Sequence, residues 1–400
     1  MSESILTHFE EIKSRGLSID ITRGKPDTRQ LDLSNDLLKI NVEPFDNDID
    51  LRNYGEPFGI SDARKLGSEV LHAPQDNIIT GEQSSLLLSY QIILAKYLFA
   101  DSVPWKDLDR PKFICTVPGF DRHFRIFEDF GIEMISVPLL EEGVDIEKLK
   151  EALNSNTNVM GILCVPRHSN PSGEVYTDQN IKDIFSAGKT YSDDFLYLFD
   201  HAYLVHDFLP TQEQTPTWKI AEDSKTVNQT VVVTSFSKVT FGGGGISFMA
   251  ASGLNLDLIK KIRGSMVICP DKVNQKRHTM FFSGLEDIKN HMTKHAELVR
   301  PKFDITYRAL RKLDKDCGSF SEPTGGYFIT FISKKPIASR IIELCKEAGV
   351  LLTAAGATFP YGKDPKNNTI RIAPTFVDAN ELEVAMDVFI TAVQIAHEEY

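Results

Sequence analysis

The chain has 400 residues, 42% of them apolar and 25% charged, enough for a large core and for two or three folding units. Its 56 acidic side chains outnumber 44 basic ones, leaving a net charge of −12, which argues against a nucleic-acid surface built from clustered Lys and Arg. The five cysteines, Cys115, Cys164, Cys269, Cys317 and Cys345, are widely spaced with no CxxC pair, so they read as reduced core thiols rather than a zinc site or a disulfide frame.

Residues 1–16, MSESILTHFEEIKSRG, are acidic and amphipathic, which suits a short helix over 3–15 and not a signal peptide. A turn-rich passage around Gly24 and Pro26 follows. Residues 53–66 start as loop and become helix, with Ser61 or Asp62 placed to cap it. A short strand over 77–80 leads through Gly81-Glu82-Gln83-Ser84-Ser85 into a helix reaching about 99. That helix is apolar nearly all round, so both faces should be covered. Gln91 and Lys96 interrupt it, so it is not a membrane span, and a cytoplasmic protein without membrane contact is expected.

Strands and helices then alternate. Strands are expected over 113–116, 133–137, 159–165, 196–199, 231–234 and 245–251, and helices over 120–130, 146–153 and 177–191. Such alternation predicts a largely parallel sheet with helices on both faces. From about 285 the pattern changes to a helix over 285–313, a strand over 327–332, a helix over 336–348, short strands in GVLLT and TIRIA, and a last helix ending near 397. The expected fold class is α/β, with a large domain over 45–290. A smaller α+β domain combines 1–44 and 291–400, because the chain can enter and leave the large domain through one hinge region. No internal repeat and no low-complexity linker is present.

Polar residues collect at the expected strand exits: Asn170 in CVPRHSNPSG, Asp200 and Tyr203 in DHAY, Ser235 and Lys238 in SFSK. Each has an ordinary explanation alone. An aspartate after a strand caps a helix, Asn-Pro-Ser-Gly makes a turn, and a lysine before glycines can sit exposed in a loop. Together they put a carboxylate, a phenol, an amide and a lysine at the carboxyl edge of the sheet, where open α/β sheets bind ligands. A pyridine cofactor held as a lysine imine needs this set: a carboxylate for the ring nitrogen, donors for the ring oxygen, and a helix amino terminus for the phosphate. The run Gly242 to Gly245 fits neither nucleotide template. No lysine follows it as in a P-loop, and Ser247 stands where GxGxxG needs its third glycine.

Nine ordered blocks carry a family resemblance: TRGKPD, YGEPFGISDAR, PGFDRHF, CVPRHSNPSG, DHAY, SFSK, DKVNQKRH, GATFPYGKDP and IRIAPTF. The chain resembles the fold-type I pyridoxal-phosphate aminotransferases, within them the aspartate-aminotransferase-like group related to the aminotransferase half of MocR-type regulators. The resemblance implies a pyridoxal 5′-phosphate cofactor, in a large domain whose mainly parallel mixed sheet is sandwiched by helices. It makes Lys238 the Schiff-base lysine and proton carrier, and Asp200 the partner of the ring nitrogen, supported from behind by His123. Phe120 stacks on the ring, and Asn170 and Tyr203 bond its oxygen. Gln83, Ser84, Ser85 and Ser235 hold the phosphate. Tyr54 is lent by a neighbouring subunit, which implies a homodimer with shared sites. Arg371 grips the substrate α-carboxylate, with Gly24 and Asn170 beside it. An acidic substrate needs a second cation for its side-chain carboxylate, and Lys272, Arg277 and Arg23 are the candidates. One departure stands out. Many relatives carry a phosphate-pairing arginine eight residues after the lysine, and here that residue is Ile246, which leaves the phosphate charge to backbone amides of the glycine run or to a distant base such as Lys272 or Arg277.

The function implied is transfer of an amino group between an L-amino acid, aspartate first, and 2-oxoglutarate, by a ping-pong mechanism. Another amino-acid specificity, or lyase or decarboxylase chemistry on the same cofactor, is the alternative. An effector-binding domain of a regulator is disfavoured, since the matching blocks begin at Thr22 and leave no room for a helix-turn-helix before them.

Overall fold

Eight strands form the central sheet of the computed structural model, which describes residues 3–100 and 102–400. They are β1 (Ile78–Gly81), β2 (Lys112–Val117), β3 (Glu133–Leu140), β4 (Gly143–Val144), β5 (Val159–Cys164), β6 (Leu196–Asp200), β7 (Thr230–Ser235) and β8 (Ser247–Ala251). Their spatial order is β1-β8-β7-β6-β5-β2-β3-β4. The block from β7 to β3 is parallel throughout. β8 runs antiparallel to both β7 and β1, because the short glycine-rich return after β7 spans no crossover helix.

The parallel strands are covered on both faces, and their sequences show it. Every residue of β6, β7 and β8 is buried. Along β7, Val231 and Val233 join the core with Leu88 and Ile92, whereas Val232 joins Phe199, Ile181 and Trp218 on the opposite face, the two-residue alternation of a strand. Helices Ser85–Phe99 and Gly253–Met266 pack together on the first face. Residues from Ser61–Leu71, Ile146–Ser155, Asp178–Tyr191 and Thr217–Asp223 fill the second.

The last third of the chain builds a three-stranded antiparallel sheet from Gly318–Phe320, Ile329–Ser333 and Thr369–Ile372, with helices Leu285–Leu310, Ala338–Glu347 and Ala379–Glu399. The first residues meet it. Ile19–Asp20 pairs in parallel with Val350–Leu351, helix Glu3–Ser14 packs on Ala379–Glu399, and Asp27 forms a buried ion pair with Lys302 at 2.7 Å.

Four α-helices have no counterpart among the expected elements: Thr28–Asp32, Thr217–Asp223, Gly253–Met266 and Lys272–Phe281. The helix in YGEPFGISDAR starts at Ser61, yet neither Ser61 nor Asp62 caps it. Ile60 holds that position with no side-chain cap, and its own N–H donates to Gln275 Oε1 at 2.9 Å, so a side chain from a distant helix satisfies the cap residue's donor. Helix Ser85–Phe99 is not covered on both faces within one chain. Leu86, Leu87, Leu94 and Leu98 remain half-buried. Among the described residues no helix is long and apolar enough to cross a membrane, and all five cysteines are unpaired.

Candidate active site

Parallel strands deliver their ends to one edge. β6 stops at Asp200 and β7 at Ser235. Asn170 follows β5, and Phe120 sits at the start of helix Asp121–Asp129 after β2. These segments and the start of helix Ser85–Phe99 enclose a cavity of about 390 Å³ whose wall also includes Tyr203, Lys238, Phe328 and Arg371. A larger groove of about 500 Å³ between Val70, Arg167 and Met292 shares none of these residues, so chemistry rather than size singles out the first.

Asp200 is 3% exposed. Its Oδ2 accepts from His123 Nε2 at 3.0 Å and from Ser85 Oγ at 3.4 Å. Its Oδ1 is buried with no partner among the described residues, an expensive state for a carboxylate oxygen and one that a ligand's N–H would relieve. Lys238 Nζ lies 4.8 Å from the centre of the Tyr203 ring. Burial lowers its pKa below the ordinary lysine value, against the opposing charge of Asp200, which raises the share of neutral amine. Burial also pushes the Tyr203 phenol upward, keeping it a neutral donor.

Across the cavity, Ser84 occupies the N-cap of helix Ser85–Phe99 without making a side-chain cap bond. The first-turn amides are thus left without a side-chain acceptor where Ser84, Ser85 and Leu86 form the wall. Ser235 and Ser237 lie beside them, their hydroxyls 3.3 Å apart. Uncapped amides with hydroxyls around them are an anion cradle.

Arg371 is 6% exposed on the strand Thr369–Ile372. Its Nε and NH2 donate to Thr353 Oγ1 at 3.3 and 3.0 Å, NH2 also to the Thr22 carbonyl at 3.1 Å, and NH1 to Asn170 Oδ1 at 3.3 Å. The guanidinium rests 4.8 Å over the Phe328 ring. A Cβ on Gly24 would meet that ring at 2.4 Å, so only glycine lets the segment 23–25 cross it. Asp121 Oδ1 lies 3.7 Å from Arg371.

A family profile described as aspartate amino-transferase matches residues 1–400. The chain belongs to the aspartate aminotransferase family. It is 39% identical over 412 residues to the aspartate aminotransferase of Corynebacterium glutamicum, covering 100% of this chain and 94% of that one. The crystal structure of an aspartate transaminase from the same organism superposes with a TM-score of 0.94 at 37% identity, covering 99% of this chain and 95% of that one. The HTH-type regulator NorG of Staphylococcus aureus is 21% identical over 324 residues, 79% of this chain and 66% of NorG. Aminotransferases of this fold depend on pyridoxal phosphate, and the aminotransferase described here carries amino groups between amino acids and 2-oxo acids.

Twelve of the residues singled out in the aminotransferase sequence line this one cavity: Arg23, Gly24, Ser84, Ser85, Phe120, His123, Asn170, Asp200, Tyr203, Ser235, Lys238 and Arg371. Four do not. The Gln83 side chain is exposed, and only its carbonyl takes part, accepting from Ser237 Oγ. Tyr54 is 78% exposed. Lys272 is buried, and its ammonium donates to the carbonyls of Asp50 at 3.0 Å and Tyr54 at 3.4 Å. It therefore anchors the loop that presents Tyr54, instead of facing substrate within its own chain. Arg277, half-buried on the same helix, also lies outside the cavity. Ile246 is buried, and its carbonyl accepts from Phe236 N–H at 2.7 Å. Ser237, Phe328, Arg122 and Lys25 also belong to the wall without having been picked out. Ser237 was within reach, since it belongs to the same SFSK as Ser235.

Proposed function

We propose that this aminotransferase moves the amino group of L-aspartate to 2-oxoglutarate, with pyridoxal 5′-phosphate in the cavity around Lys238 and two subunits sharing their sites. The observation that carries the reading is the meeting of three features in one cavity: the unpaired Asp200 Oδ1, the half-buried Lys238 amine and the buried Arg371 fork.

The residues present fit the cofactor. Asp200 Oδ1 would accept a hydrogen bond from a protonated ring nitrogen, while His123 and Ser85 hold Oδ2 and so fix the carboxylate plane. Asn170 spends its oxygen on Arg371, leaving Nδ2, with the Tyr203 hydroxyl, for a ring oxygen. The helix start with Ser85, Ser235 and Ser237 would hold the phosphate. Bound pyridoxal phosphate supplies a carbonyl that takes up the amino group and a ring that spreads the negative charge left on the substrate α-carbon. Lys238, its pKa lowered by burial, offers a neutral Nζ that accepts the α-proton and passes it on within the same half of the cycle, and in the other half delivers a proton to the α-carbon of the incoming 2-oxo acid. Arg371 holds the α-carboxylate between its nitrogens, aimed by Thr353 and the Thr22 carbonyl.

The preference for a dicarboxylic substrate rests on charge. Besides Arg371 and Lys238, the cavity wall carries Arg23, Lys25 and Arg122 against the acids Asp121 and Asp200. No hydrogen bond or ion pair ties Arg23 among the described residues, so it can meet a second carboxylate. Arg277, if it contributes, does so from the partner subunit together with Tyr54. The half-buried leucines of helix Ser85–Phe99 and the exposed Tyr54 support the dimer. The test is a panel of single amino acids added to the holoenzyme while the cofactor absorbance is followed. Aspartate and glutamate should convert it fastest. Faster conversion by alanine or an aromatic amino acid would overturn the substrate assignment.

A further inference from the structure

The anion cradle has no cation bonded to it. Among the described residues no lysine or arginine is hydrogen-bonded to Ser84, Ser85, Ser235 or Ser237, and Ile246 is buried and apolar. Behind the cradle, however, lies an arginine that the chemistry described so far does not use. Arg263, on helix Gly253–Met266, is 0% exposed. Its NH2 donates to Glu82 Oε1 at 3.1 Å, and its NH1 to Glu82 Oε2 at 3.2 Å and to Gln91 Oε1 at 2.9 Å. Glu82 directly follows the last residue of β1 and precedes the Gln83-Ser84-Ser85 turn. The same turn is held twice more, by Ser247 Oγ donating to the Glu82 carbonyl at 2.7 Å and by Ser237 Oγ donating to the Gln83 carbonyl.

A buried ion pair is costly to desolvate, and apolar side chains of similar volume generally serve as well or better for stability. Here the Arg263 guanidinium is fully buried while the Glu82 side chain keeps 25% exposure, and the pair sits where helices Ser85–Phe99 and Gly253–Met266 pack together, a place apolar side chains would fill without the cost of burying the guanidinium. What an apolar pair could not supply is direction. A guanidinium fork fixes both the distance and the plane of the carboxylate it binds. Here that carboxylate belongs to the residue that sets where the next amides fall, and Gln91, two turns along the cradle helix, is bound by the same guanidinium.

We propose that Arg263 is a positioning residue for the cofactor phosphate. It clamps Glu82 so that the amides and hydroxyls of the 83–85 turn hold the geometry that binds a phosphate, and it does this without touching the phosphate. The charge of the anion is then met by aligned dipoles at a helix start, with Arg263 securing their alignment from within the core. This proposal rests on the cofactor reading above.

The apoprotein tests it with two ligands that differ only in the phosphate. Dissociation constants for pyridoxal phosphate and for pyridoxal are measured by absorbance titration in wild type, Glu82→Gln and Arg263→Met. The double variant Glu82→Met with Arg263→Met removes both charges together, so it keeps the test usable should a single change leave a buried charge that prevents folding. Expected is a loss of about tenfold or more in affinity for pyridoxal phosphate, with pyridoxal affinity nearly unchanged. Equal losses for the two ligands, or none for either, would overturn the positioning role. Wild-type apoprotein that binds pyridoxal as tightly as pyridoxal phosphate would overturn the cradle assignment itself, a different result from variants that keep the wild-type preference.

Discussion

Replacing Arg371 by lysine keeps a positive charge and removes the planar fork. In the structure the guanidinium already has four oriented donations, two to Thr353 and one each to Thr22 and Asn170, and its carbon lies 4.8 Å from the centre of the Phe328 ring. A lysine ammonium can meet a carboxylate at one point but cannot keep these bonds at the same time. A hydrogen bond involving a charged group contributes roughly 1.5–3 kcal/mol, so losing one arm of the fork and part of its aim costs about 2–3 kcal/mol in transition-state binding. That is a fall in kcat/KM of roughly 30- to 150-fold. Because every amino-acid substrate carries an α-carboxylate, the loss should be alike for aspartate, glutamate and alanine. The cofactor spectrum should not move, since Arg371 reaches the ring oxygen site only through Asn170. Steady-state kinetics on the three substrates, with an absorbance spectrum of each preparation, decide the matter. Near-normal activity, or a loss confined to dicarboxylic substrates, would refute the assignment.

Borohydride should fix the pyridoxyl group on the peptide containing Lys238, and Lys238→Ala should lose turnover by orders of magnitude while still binding the cofactor, which peptide mapping and absorbance would show. Mixed dimers of Tyr54→Phe and Lys238→Ala subunits should regain activity, because one site per hybrid escapes both changes; verified hybrids without activity would place Tyr54 outside the partner's site. Glu174 gives a stability prediction: burial raises its carboxyl from 4.5 to about 7, and its Oε2 is unpaired. With the native value raised, the stabilising contribution is complete below 4.5 and lost as pH climbs through about 7. Glu174→Gln should therefore melt higher than wild type at about pH 8 and show no such gain at about pH 4; a gain of equal size at both would exclude titration of Glu174 as its source.

Much of the site was legible because one local signal repeats. Each β-branched or apolar run, at 159–164, 196–200 and 230–235, ends in polar residues, and parallel strands bring such ends to a single edge. Asp200, Asn170 and Lys238 follow from that rule. Arg371 could be marked as unusual on an apolar strand, but its partners Thr22 and Asn170 are far away in sequence, and only the fold unites them. The cations were harder. A lysine shows its charge in the sequence and hides its acceptors, so Lys272 looked available for a substrate until the fold put two backbone carbonyls against its ammonium. Helix Gly253–Met266 escaped notice for a related reason. Its sequence, GLNLDLIKKIRGSM, buries Arg263 and Asn255 among its apolar residues, and a buried arginine blurs the periodicity that marks a helix face.

The same accounting explains how the cavity is prepared. Three of its polar features are bonded to the protein on one side and have no bonded partner among the described residues on the other. Asp200 has Oδ2 bonded twice and Oδ1 unbonded. Asn170 gives its oxygen to Arg371, and the start of helix Ser85–Phe99 has an N-cap serine that does not cap. The bonded half of each group sets its direction, so little reorganisation is left to perform when a ligand arrives. The unbonded half has a cost, since a buried oxygen lacking a donor loses about 1–3 kcal/mol. A ligand that supplies one N–H and an anion at the right separation recovers that cost at both ends of the cavity at once. The apoprotein is thus held in a state that a ligand of that shape relieves, and its stability should rise with the logarithm of the ligand concentration. Pyridoxal, which lacks the phosphate, should recover only the part at Asp200.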